Sequence, residues 1–206
     1  MLPEANDQVD SRTYSNELSK ACKFIIFFIC MNIYLIGMPG SGKTTLGKRL
    51  AKTLGFSFTD LDIVLAEQEK MPVTEIFAQK GELYFRQAES ECLKKTIQLQ
   101  RSVIATGGGT PCFFDNMEWM NANGITIFLD VSTEELVKRL TINEDATQKR
   151  PLFANKSVQE LRSSLETMQT NRLPHYEKSQ FRFLPHETKP SFVASQLKER
   201  LPELFK

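Results

Sequence analysis

Gly37-Met38-Pro39-Gly40-Ser41-Gly42-Lys43-Thr44 follows an apolar run, Ile33-Tyr34-Leu35-Ile36, and leads into a helix-period segment from Lys43 to Leu54. A buried strand, a Gly-x4-Gly-Lys-[Ser/Thr] loop and a helix, in that order, form the context that a P-loop requires. The glycines let the main chain turn its N–H groups inward with no Cβ in the way, so that a ring of amides cradles phosphate oxygens. The helix that follows points its positive end at the same place. In such a loop Lys43 reaches the β- and γ-phosphates, and the Thr44 hydroxyl holds Mg²⁺. A glycine-rich turn that merely joins strand to helix is the rival reading, and the flanking runs count against it.

At 206 residues the chain fits one domain with room for a real core. Its net charge of +1 gives no support to a strong nucleic-acid footprint, which needs a basic excess on one face. Cys22, Cys30, Cys92 and Cys112 lack the paired spacing of a metal site and read as buried or incidental thiols. A reducing, cytoplasmic setting is therefore expected.

Residues 1–30 stand apart. Met1 to Lys20 is polar and aperiodic, as in disordered chains. Phe24 to Cys30 is apolar but far short of the ~20 residues that span a bilayer. Acidic residues crowd the start, and no small-residue cleavage site follows, so a signal peptide fits poorly. The expectation is a dispensable extension, with the domain running over residues 31–206.

From Met31 onward short apolar runs alternate with longer amphipathic ones, which argues an α/β fold with a parallel sheet. The strand-like runs are Asn32–Ile36, Phe56–Thr59, Val103–Ala105, Thr126–Leu129 and Phe181–Leu184. Ser132-Thr133-Glu134-Glu135 and Ser157-Val158-Gln159-Glu160 read as capping boxes. After the second, Leu161, Leu165 and Met168 make a core-facing stripe. Thr141 to Lys156 is polar and aperiodic, and a loop of that length is expected to be a functional lid or a disordered insert. Ligands in open α/β sheets bind beyond the carboxyl ends of the strands, where this loop would join the P-loop.

Three further motifs belong at that end. Asp60-Leu61-Asp62 closes the second strand; its carboxylates suit a metal shell and a substrate hydroxyl, or else the N-cap of the next helix. Gly81-Glu82-Leu83-Tyr84-Phe85-Arg86 carries an arginine that faces either a carboxylate or solvent. Val103-Ile104-Ala105-Thr106-Gly107-Gly108-Gly109 ends the third strand in three glycines, sensible where a ligand touches backbone, with a plain turn before a helix near Pro111 as the alternative.

In this order the pieces resemble the shikimate kinase family, and the resemblance covers Met31 to about Leu201. It rests on the P-loop, Asp60-x-Asp62, Ile76-Phe77 with Gly81-Glu82 and Phe85-Arg86, Gly107-Gly108-Gly109, Arg150-Pro151-Leu152, and Arg172-x-Pro174-x-Tyr176. It implies a five-stranded parallel sheet flanked by helices in three layers, a mobile lid over about residues 141–156, and a monomer. The implied reaction moves the ATP γ-phosphoryl group to the 3-hydroxyl of shikimate, in aromatic amino-acid biosynthesis.

By the same resemblance Gly40, Ser41, Gly42, Lys43, Thr44 and Thr45 contact ATP, and Arg150 is the lid arginine over the phosphates. Asp62 binds the shikimate hydroxyls, Arg86 and Arg172 clamp its carboxylate, and Gly107, Gly108 and Gly109 offer backbone contacts. Thr44 and Asp60 belong to the Mg²⁺ shell. Arginine's planar fork suits a carboxylate, and a loose phosphoryl-transfer transition state asks for positioning and charge, here from Lys43, Mg²⁺ and Arg150.

One departure stands out. Many family members carry an arginine several residues before the lid arginine, stacked on adenine. Here Arg139 lies further back on the preceding helix, and Thr141 to Lys149 contains no arginine, so the adenine contact is left unassigned. Lys149 reads as a solvated charge. The rival readings are another small-metabolite kinase such as gluconate kinase, a nucleoside-monophosphate kinase, or a nucleotide-binding protein without turnover.

Overall fold

The computed structural model describes residues 31–142, 153 and 156–205. The expected extension and most of the expected lid, with Lys149 and Arg150, lie outside the described residues.

The strand before the P-loop, β1 (Asn32–Ile36), is buried along its whole length. Alternate side chains of a strand point to opposite faces. Ile33 and Leu35 therefore join the core on one side of the sheet, and Tyr34 and Ile36 join the core on the other. A strand apolar on both faces needs helices on both. They are supplied by α1 (Lys43–Leu54) and α7 (Pro190–Arg200) on the first face, through Leu46, Leu50, Val193 and Leu197. The second face is covered by α2 (Leu61–Glu69), α3 (Val73–Lys95), α4 (Asn116–Asn123), α5 (Thr133–Ile142) and α6 (Val158–Tyr176).

With β2 (Ser57–Asp60), β3 (Ser102–Ala105), β4 (Gly124–Leu129) and β5 (Phe181–Phe183), β1 forms one five-stranded sheet in the order β2-β3-β1-β4-β5. Every pairing is parallel. The loops after β1, β2 and β3, which carry the P-loop, Asp60-x-Asp62 and the glycine run, consequently leave three adjacent strands at one edge of the sheet.

The stripe on α6 packs as expected, with Leu161 and Leu165 buried and Met168 against the core. Ser157 and Glu160 close the reciprocal capping box, and Ser132 Oγ accepts the Glu135 N–H at 3.3 Å. Other boundaries moved. The second strand ends at Asp60 rather than Thr59, and the helix expected near Pro111 is a 3₁₀ turn, Thr110–Cys112. The arginine-bearing stretch starts back at Val73 and passes a break at Gly81 (φ 81, ψ 169). The fourth strand begins at Gly124, two residues early, because Gly124 pairs with Asn32.

That register needs glycine for room, not for backbone freedom. A Cβ at position 124 would lie 2.5 Å from Tyr34 Cε2 and 2.6 Å from the Asn32 carbonyl oxygen. Gly124→Ala is expected to lower stability by ~1–3 kcal/mol, the usual cost of overpacking. A thermal melt that leaves the midpoint unchanged would contradict this account of the register.

Candidate active site

The P-loop approaches the nucleotide-binding geometry from its own backbone. Gly40 and Gly42 hold φ at 86° and 98°, and Gly42 caps α1 without any side-chain bond, leaving the first-turn amides to the loop's concave side. Lys43 Nζ donates to the carbonyls of Gly37 (2.9 Å) and Met38 (3.0 Å), lying back along the loop. Ser41 Oγ is buried with no hydrogen-bond partner among the described residues. Thr44 Oγ1 donates to Asp60 Oδ2 at 2.8 Å, while Asp60 Oδ1 accepts the Asp62 N–H at 3.2 Å. Asp60 thus takes the N-cap role that its motif allowed, capping α2, while its other oxygen meets the P-loop threonine.

A cavity opens beside the loop, lined by Ser41, Thr45, Arg49, Arg139, Thr188 and Pro190. Arg139 Nη1 donates to the Ser41 carbonyl at 3.1 Å, and its Nε donates to Glu135 at 2.8 Å. The sequence places this arginine further back on the helix and leaves the adenine contact unassigned; α5 carries its guanidinium to the P-loop.

The acceptor end gathers around the three glycines. A Cβ on Gly107 would stand 2.5 Å from Glu89 Oε1 and 3.1 Å from Asp62 Oδ1. One on Gly108 would stand 3.0 Å from both Arg172 Nη1 and Pro39 Cδ. One on Gly109 would stand 2.7 Å from Arg86 Nη1. Asp62, Arg86 and Arg172, far apart in the chain, therefore converge on one short run of bare backbone.

Arg86 is 9% exposed. Its Nη1 donates to Glu89 Oε2 at 3.0 Å, and its Nε and Nη2 donate to Glu82 Oε1. The guanidinium also lies 4.1 Å from the ring centre of Phe113 and 5.0 Å from that of Phe85. Arg172 Nη1, by contrast, is buried with no hydrogen-bond partner among the described residues. A buried guanidinium nitrogen left unpaired is costly, and an anion on this side of the glycine run would satisfy it.

Glu89 was not anticipated, although an acid three residues after an arginine on a helix is a readable pairing signal. It is 1% exposed and accepts the Thr110 hydroxyl at 2.6 Å as well as Arg86. Burial pushes its carboxyl above the usual range, against the pull of Thr110 and Arg86; nearby Asp62 adds to the rise. Burial holds the Cys92 thiol up at about 11 and raises that of Cys112 as well.

Known proteins match this arrangement along most of the chain. The family model described as shikimate kinase matches residues 39–202. The chain belongs to the shikimate kinase family. The shikimate kinase of Parabacteroides distasonis is 44% identical over 151 residues, spanning 73% of this chain and 86% of that protein. The shikimate kinase of Bacteroides thetaiotaomicron is 39% identical over 175 residues, 85% of this chain and 98% of the relative. A crystal structure of shikimate kinase from Bacteroides thetaiotaomicron superimposes with a TM-score of 0.76 at 38% identity, covering 84% of this chain and 98% of that one. A shikimate kinase from Acinetobacter baumannii, solved in complex with shikimate, gives 0.74 at 28% identity, over 88% and 98%. Membership in the shikimate kinase family makes the chain an ATP-dependent phosphotransferase, and its parallel sheet is that family's fold.

The raised carboxyl gives a pH test. A group whose folded pKa exceeds its unfolded one contributes stability that is present below the unfolded pKa and lost as pH rises through the folded one. Glu89→Gln keeps the size and an acceptor oxygen but cannot ionise. Between about pH 4 and about pH 8 its thermal midpoint should gain steadily on that of the native chain. A constant difference across that range would mean that Glu89 is not held above the ordinary carboxylate value.

Proposed function

We propose that this protein transfers the γ-phosphoryl group of ATP to the 3-hydroxyl of shikimate, giving shikimate 3-phosphate and ADP, as a cytoplasmic monomer. The observation that carries the reading is the convergence of Arg86, Arg172 and Asp62 on the Gly107–Gly109 backbone, with Arg172 Nη1 buried and unpartnered. Shikimate offers one carboxylate and three hydroxyls, the groups that two guanidinium forks and one carboxylate are built to recognise.

In this reading Arg86 and Arg172 clamp the shikimate carboxylate, and Gly107, Gly108 and Gly109 offer backbone contacts. Asp62 binds the hydroxyls. Gly40, Ser41, Gly42, Lys43, Thr44 and Thr45 hold the phosphates, and Arg139 closes the adenine side with Thr188 and Pro190. Arg150 follows from the resemblance alone, as the lid arginine. The acceptor oxygen attacks the γ-phosphorus, the bond to the β–γ bridging oxygen breaks, and ADP departs with that electron pair. Asp62 orients the attacking hydroxyl and takes its proton late, since a loose transition state needs little base.

The donor set of Thr44 Oγ1 and Asp60 Oδ2 fits Mg²⁺, a hard cation that takes few protein oxygens and keeps water and phosphate for the rest. These two residues would hold it, directly or through water. When bound it neutralises charge on the β- and γ-phosphate oxygens.

Relatives at 39–44% identity bear the shikimate kinase name, so neither a gluconate kinase nor a binding protein without turnover is favoured. The test is a coupled ADP-release assay on the full chain with Mg²⁺, ATP and either shikimate or gluconate. Release that depends on shikimate is expected; release with gluconate alone would overturn the acceptor. Arg86→Ala should raise the shikimate KM at least about tenfold, the worth of a charge-assisted hydrogen bond, and leave the ATP KM within about twofold. Equal losses for both substrates would refute the role given to Arg86.

A further inference from the structure

Tyr176 closes α6 and is fully buried, yet its hydroxyl is not idle. It donates to the Gly108 carbonyl at 2.5 Å. Its ring packs against Phe128 of β4 at 5.1 Å between centroids, and the hydroxyl oxygen lies 3.9 Å from Met38 Sδ in the P-loop. Arg172 sits one helical turn back on the same face and is close enough to act on that hydroxyl electrostatically. Burial raises the phenol well above its ordinary value, so it remains a donor throughout the working pH range.

A trans peptide is planar, so the Gly108 C=O and the Gly109 N–H point in opposite directions. Turning the carbonyl toward Tyr176 turns the amide away from α6. Among the described residues no protein acceptor takes the Gly108 or the Gly109 N–H. The Thr110 N–H bond to the Gly107 carbonyl (3.2 Å) closes a turn around this peptide, and with no Cβ at either position the Tyr176 hydroxyl is the side-chain contact that holds its carbonyl.

We propose that Tyr176 is a positioning residue for the acceptor: its hydroxyl sets the Gly108–Gly109 peptide so that the Gly109 N–H is presented to the bound acceptor. The proposal rests on the acceptor site described above. It assigns the hydroxyl a role in binding, separate from the packing that the ring supplies.

Tyr176→Phe keeps the ring and removes only the donor. The experiment measures shikimate KM, ATP KM, kcat and thermal midpoint for the full native chain and this variant. The expected result is a rise of about five- to tenfold in shikimate KM, an ATP KM within about twofold, and a smaller change in kcat, as for one lost hydrogen bond. Unchanged shikimate KM in an active native chain overturns the proposal and leaves the acceptor reading intact. A lowered midpoint with both KM values moving alike marks a structural tyrosine and also overturns it. A native chain without shikimate-dependent ADP release removes the acceptor site and this proposal with it.

Discussion

Arg86, Arg172, Asp62 and Glu89 press so closely on the Gly107–Gly109 main chain that no side chain fits there. A single methyl at any of positions 107, 108 or 109 would come within 2.5–3.0 Å of a charged group. The acceptor end depends on this close approach. It allows groups from α2, α3 and α6 to reach a common point at the end of β3 while leaving backbone amides uncovered between them. Strand order makes the approach possible, because β3 lies between β2 and β1 and its loop is flanked by both neighbours' loops.

The charges at that point are arranged unequally. Arg86 is held from several sides, by Glu89, Glu82 and the face of Phe113. Its orientation is settled before any ligand arrives, and a pre-oriented fork gives up less freedom on binding. Arg172 Nη1 has no such partner. One arginine is thus a fixed reference, and the other carries the unmet hydrogen-bonding capacity that an anion relieves. Glu89 sits beneath the first, buried enough that its own ionisation is disfavoured.

Much of this was legible in the chain, for identifiable reasons. The P-loop could be read because its chemistry is local: consecutive residues supply the amides, the lysine and the threonine. The apolar run Ile33–Ile36 and the Ser157–Glu160 box were readable because a short buried strand and a helix cap are each written within a few residues. Glu89 was missed because its significance comes from burial against Gly107, which lies on another element. Arg139 has no assigned role in the sequence because spacing to the lid arginine is the only ruler there, whereas the crossing of α5 over the P-loop decides its reach. The early start of β4 follows from pairing with Asn32, a contact between residues far apart in sequence.

Donor and acceptor ends meet without an intervening layer. Pro39, in the P-loop, stands against Gly108, and Met38 reaches the hydroxyl of Tyr176. In the proposed reading, the loop that would cradle phosphate on one side forms part of the acceptor wall on the other. Thr44 and Asp60 make a second tie, between the P-loop helix and the strand end that carries Asp62. For phosphoryl transfer this economy matters, since most of the catalysis lies in holding two reactants in line and in contact. A chain that built its two sites on separate scaffolds would have to align them by domain movement. Under the proposed roles the same few residues would fix both, and adjacency of the two reactants would follow from the sheet edge itself.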